Sequence, residues 1–149
     1  LSGVDKLHDI LLLQNLFSRF ANSFDLKTWD DLETCLAPSV HTDYSDLRGT
    51  PPEVMSNVRF VELRRNALQD LATHHLFGNH EIDIDSGHAH AKVSAVIYRK
   101  NTEGIVLNTH CIYLFEAQKI AVHWKITAIT QKVLWSDGDI AIHAGIAKK

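Results

Sequence analysis

Two residues about fifty positions apart are the best placed to do chemistry in this chain. Asp25 closes the apolar run Phe20-Ala21-Asn22-Ser23-Phe24, and His75 follows Ala72-Thr73-His74. A carboxylate at the end of a buried stripe is costly unless a partner charges or hydrogen-bonds it. Imidazole is the partner with a chemical use. Held by a carboxylate through one ring nitrogen, it has a fixed tautomer, and its other nitrogen becomes a stronger base. Such a pair can remove a proton from carbon next to a carbonyl. His74 and His75 are adjacent, so on a strand only one of them faces a cavity.

Other side chains can finish such a site. Tyr44 ends a short strand candidate beside Asp43 and Asp46. A buried phenol there donates to a substrate carbonyl or orients a water, stabilising an enolate as it forms. Tyr98, His110 and Tyr113 fall on later strands. His110 shares a strand face with Asn108, Ile112 and Leu114, the pattern of a polar group in an apolar cavity wall. Trp124 and Trp135 supply core bulk or pocket wall. Arg64-Arg65 reads as a solvated helix face. His88 and His90 face the same way, but they flank a polar turn, and there is neither an HExxH motif nor a cysteine cluster, so no metal site is expected. No glycine-rich loop suits a nucleotide phosphate, and no serine sits in a nucleophile elbow.

The totals narrow the class. A chain of 149 residues makes one domain, residues 1–149, large enough for a core or a pocket. Fifteen basic against 18 acidic side chains give a net charge of −3, which argues against a nucleic-acid groove. No segment has the roughly 18–20 apolar residues of a membrane span, and acidic residues precede Leu11–Leu13 without a cleavage site. A cytoplasmic protein with no membrane partner is expected. Cys35 and Cys111 stand apart in apolar surroundings, as reduced core residues do.

Several elements must position the candidate pair. Leu7, Ile10, Leu11, Leu13, Phe17, Phe20 and Phe24 make an apolar stripe on a helix over Val4–Phe24. Thr28 and Asp31 have capping-box spacing for a second helix to about Leu36, ended by Pro38. Val40–Tyr44 reads as a strand, Ser45–Thr50 as a polar loop, and Pro51-Pro52-Glu53 as the start of a third helix. From Thr73 the period becomes two. Strands are expected over His80–Asp85, His88–Arg99, Ile105–Glu116 and His123–Trp135, with short turns between. The result is an α+β domain: a bent antiparallel sheet with its helices on the concave side. Leu107/Cys111/Phe115 opposite Val106/Ile112/Leu114 leave both faces of one strand apolar, consistent with a homo-oligomer, dimer or trimer, that buries the outer face.

Read in order, Phe20-Ala-Asn-Ser-Phe-Asp25-Leu-Lys-Thr-Trp29-Asp-Asp-Leu32, Ala37-Pro38, Asp43-Tyr44, Thr73-His74-His75-Leu-Phe-Gly78-Asn79 and His123-Trp124-Lys125-Ile126 resemble the scytalone dehydratase and SnoaL-like group of the nuclear-transport-factor-2-like superfamily. The resemblance implies a cone-shaped, cystatin-like α+β barrel whose curved sheet is wrapped by N-terminal helices. It implies a His–Asp dyad working without metal or organic cofactor, as in dehydratases, a lindane dehydrochlorinase and polyketide cyclases. On that pattern Asp25 and His75 are the dyad and Tyr44 is one dehydratase tyrosine. Phe24 stands where the other tyrosine would be, and Tyr98 takes the place of a second active-site histidine. Asn108, His110 and Tyr113 are the candidates for the pocket asparagine, and the C-terminal lid is largely missing after Ser136. The expected activity is a dehydratase-like lyase acting on a small, apolar or aromatic-like cyclic ketone. The alternatives are an isomerase or polyketide cyclase of the same fold, or a non-catalytic binder of hydrophobic ligands.

Overall fold

The computed structural model describes residues 2–146. Helix α1, Gly3–Leu26, starts at Ser2, whose hydroxyl accepts from the Asp5 amide. It ends where Lys27 turns left-handed (φ 54°) and donates its amide to the Phe24 carbonyl. Its buried stripe is narrower than the periodicity suggests. Leu13, Phe17, Phe20 and Phe24 face the core, whereas Leu7 and Leu11 are exposed. Asp9 is buried instead, because the Trp124 indole (2.9 Å) and the Lys119 ammonium (3.0 Å) satisfy its carboxylate.

Helix α2, Trp29–Cys35, runs directly into strand β1, Leu36–Asp43. The Thr28 side chain makes no capping bond; its carbonyl takes the Asp31 and Leu32 amides. Pro38 lies inside β1, where the register against its neighbour is irregular and a missing donor costs little. A short helix α3, Ser45–Arg48, replaces the expected polar loop. The expected helix start at Pro51-Pro52-Glu53 is instead an edge strand β2, Glu53–Ser56, paired antiparallel to β1. Ser56 then caps helix α4, Asn57–Leu68, by accepting from the Arg59 amide.

Four long strands follow: β3, Ala72–Asp85; β4, His88–Lys100; β5, Val106–Ile120; and β6, His123–Gly138. They make an antiparallel meander, and the curved open sheet runs β2-β1-β6-β5-β4-β3. Among the described residues only the β1–β6 pair is parallel. The inner face carries Ala91, Val93, Ala95 and Ile97 from β4 and Cys111, Tyr113 and Phe115 from β5, all buried beneath α1 and α4. No helix among the described residues is long and apolar enough to cross a membrane.

Gly138 ends β6 at φ +107°, and the next amide, Asp139, donates to the Val106 carbonyl at 2.9 Å. A Cβ at 138 would overlap that same carbonyl oxygen and lie 2.8 Å from its carbon. Strain and clash add, so Gly138→Ala should destabilise the fold by about 2–3 kcal/mol, measured as a shift in the urea midpoint.

Candidate active site

The last turn of α1 and the first residues of β3 meet at Asp25. One of its oxygens, Oδ1, accepts from the Thr73 hydroxyl at 2.9 Å and lies 2.6 Å from His75 Nδ1. The other, Oδ2, accepts from the His75 backbone amide at 2.8 Å. Both oxygens are therefore spoken for, and the carboxylate cannot turn. A carboxylate can only accept, so Nδ1 carries the ring proton and Nε2 keeps its lone pair. His75 is buried and His74 exposed, as strand alternation demands. Phe24 stacks on the His75 ring, centroids 5.1 Å apart, and holds it from the helix side. Burial pushes His75 below the ordinary imidazole range although Asp25 pulls the other way. The ring is consequently neutral at pH 7, the form a base requires.

His75 lines a small space bounded by Phe24, Tyr44, Tyr113, Gln131 and three arginines, Arg48, Arg64 and Arg99. Tyr113 is 2% exposed, and burial raises its phenol well above the usual range, so it stays a donor. The Gln131 amide donates to the Tyr113 oxygen at 3.1 Å. Tyr44, also buried, has its ring 6.5 Å from that of Tyr113. The free volume is only ≈ 20 Å³, room for about one water.

The chain beyond β6 accounts for the small volume. A single 3₁₀ turn, Ile140–Ile142, leads to His143, which is 2% exposed and is part of the cavity wall. Expected to be largely without a lid, the cone is closed by this short tail. Burial, followed by Arg99, Arg48 and Arg64, pushes the His143 pKa down to about 3. The unfolded chain binds a proton near pH 6.5 that the closed form refuses, so stability falls with pH below about 6.5. Between pH 7 and pH 5 this one group should remove about 2 kcal/mol, and His75 acts in the same direction. A His143→Phe variant should show a flatter loss of thermal stability over that interval.

Four expected pocket residues lie elsewhere. Tyr98 is 44% exposed on the outer face beside His74, because alternation points Arg99, not Tyr98, inward. Asn108 and His110 are on the outer face of β5, opposite Thr109 and Cys111. Trp135 is 54% exposed and stacks on His110 at 4.1 Å. A bulge at residue 134, where Cys111 pairs with Val133 but His110 with Trp135, reverses the strand's phase. Arg64, read as solvated, is 3% exposed. The pattern also misses Thr73, Arg48, Arg99, Gln131 and His143. Arg99 shares the phase of Ala95 and Ile97 and could have been found from it. A larger groove of ≈ 490 Å³ next to His90, Lys92 and Glu116 holds no base–acid pair of this kind. There His90 faces Glu116 at 3.3 Å with both side chains mostly exposed. Among the described residues, no three His, Cys, Asp or Glu side chains converge as ligands.

The chain is similar to two fungal proteins. It is 24% identical to the scytalone dehydratase-like protein claB of Passalora fulva, over 88% of each chain. It is 27% identical to a scytalone dehydratase of Colletotrichum orbiculare, covering 93% of this chain and 80% of that one. In shape it is similar to the hexachlorocyclohexane dehydrochlorinase LinA-type3 of Novosphingobium barchaimii, with TM-score 0.81, 14% identity and 95% and 97% of the two chains covered. The fold, the helix-end acid and the ordered signature residues coincide with a match of the SnoaL-like domain to residues 5–130, and the chain belongs to that family.

Proposed function

We propose that this protein is a cofactor-independent lyase that removes water from a hydroxylated cyclic ketone. The observation that carries the reading is the fixed His75–Asp25 pair at the edge of a small space lined by buried aromatic and polar side chains. His75 Nε2 takes a proton from the carbon next to the substrate carbonyl, and the C–H electron pair moves to make an enolate. The phenols of Tyr113 and Tyr44 stabilise the oxyanion. As the enolate re-forms the carbonyl, the bond to the β-hydroxyl breaks. The proton held on Nε2 leaves with that hydroxyl as water, and the imidazole returns to its starting state. Asp25 keeps Nδ1 protonated throughout and balances the imidazolium. The names of the fungal relatives support the same class of reaction.

The test is incubation of β-hydroxy cyclic ketones with the protein in D2O. Growth of enone absorbance, with deuterium entering the α-carbon of recovered substrate, is the expected result. Exchange without loss of water would assign an isomerase or cyclase of the same fold. Neither exchange nor water loss would leave a binding protein and sink the lyase reading.

A further inference from the structure

Three arginines from three separate elements surround the cavity: Arg48 on α3, Arg64 on α4 and Arg99 on β4. Arg64 is 3% exposed and Arg99 4%. Among the described residues none of the three is in an ion pair. Asp25, the acid of the dyad, is already committed to His75 and Thr73. Arg99 donates to the Thr109 hydroxyl at 2.8 Å. Arg64 lies 4.3 Å over the Phe60 ring and 4.6 Å over the Tyr44 ring, and Arg48 lies 4.5 Å from the Tyr44 ring centre. The Nε atoms of Arg48 and Arg64 and the Oε1 atom of Gln131 are buried without a partner.

Burying unpaired cations is among the most costly arrangements a small domain can hold. Burial pushes Arg48 down to about 9, with Arg64 adding to the shift, and lowers Arg64 and Arg99 as well. Aromatic faces relieve part of this cost, and the Tyr44 side chain bonds Arg64 while the Glu53 charge favours its cation, but among the described residues no carboxylate pairs with any of the three. A catalytic base does not need three guanidinium groups. A planar anion with two acceptor oxygens does, because the guanidinium fork matches a carboxylate edge to edge. A cleft of ≈ 200 Å³ lined by Thr50, Glu53, Met55 and Gly145 shares Tyr44, Arg48 and Arg64 with the closed cavity. The same two arginines are therefore also within reach of a cleft open to the outside.

We infer that the substrate carries a carboxylate, held by Arg64 and Arg48 with Arg99 beside them, which aims the ring's acidic C–H at His75. The inference names the substrate class of the lyase proposed above and rests on that reading for the second half of this statement. The anion site itself is tested by binding alone, without turnover.

Benzoate and its neutral isostere benzamide are the probes, titrated by calorimetry against the whole chain. Benzoate should bind at least tenfold more tightly than benzamide. Arg64→Met should erase that preference while matching or raising the melting temperature, since it removes an unpaired buried charge. Arg48→Met, at a half-buried position, supplies the same test should Arg64→Met not fold. Equal affinity for the two probes, including no detectable binding of either, or a preference that survives both substitutions would each overturn the inference. A benzoate preference in a protein that neither exchanges nor dehydrates ketones would retain the anion site and remove the lyase. Dehydration of neutral ketones with no benzoate preference would do the reverse.

Discussion

Replacing His75 by alanine is expected to lower the rate of α-proton removal by roughly 10²–10⁴-fold, the contribution of a positioned general base. No other group among those around the cavity is equipped to take over. Tyr113 is a protonated donor, the Tyr44 ring faces arginine, the arginines are cations, and His143 is held with a pKa of about 3. The wild-type rate should fall with acid only below about pH 6.5, because burial depresses the His75 pKa and keeps the ring neutral down to lower pH. In the alanine variant that acidic limb should vanish along with the rate. Exchange of α-deuterium followed by NMR across pH 4–8 measures both. A variant with undiminished exchange would remove His75 from the mechanism.

Asp25→Ala should be the most damaging single change for the fold and the chemistry together. It strands three donors at once: the Thr73 hydroxyl, the His75 amide and His75 Nδ1–H. The site is partly buried, so water can recover only some of them. A total loss of about 3 kcal/mol follows from unpaired-donor costs of about 1–3 kcal/mol each. For a chain of this size that lowers Tm by about 10 °C. Asp25→Asn separates stability from catalysis. Its carbonyl oxygen can still accept, but its amide nitrogen can only donate, which favours the His75 tautomer with the proton on Nε2. Most of the stability should remain while the rate falls nearly as far as in His75→Ala. Thermal unfolding and the exchange assay, run on both variants, distinguish the two losses.

The helix-end acid and the inward histidine were both legible. Asp25 follows a helical stripe; a period of two says that only one of His74 and His75 faces inward, and the family resemblance singles out His75. The same period places Arg99 inward with Ala95 and Ile97, but arginine's usual residence at the surface argues the other way. The resemblance also favoured Tyr98 over what alternation showed. For β5 the pattern is ambiguous in principle. Ile112 and Leu114 are as apolar as Cys111 and Phe115, so Asn108 and His110 fall on a face whose side the strand alone does not declare. Trp135 is lost to a one-residue bulge, which no period of two encodes. The parallel pairing of β1 with β6 and the edge strand at Glu53–Ser56 come from tertiary pairing, where a pair of prolines looks locally like a helix start.

The tail that ends at His143 also sets how tightly any ligand can be held. His143 is part of the wall of a space of only ≈ 20 Å³, so a ring compound can enter only where that wall gives way. If about one molecule in a hundred is open, the measured dissociation constant is about a hundredfold weaker than the contacts alone would give. Weak apparent affinity is thus what a well-matched substrate should show against the closed resting state. Loosening the contacts around His143 would tighten the measured binding without touching a single atom that meets the ligand.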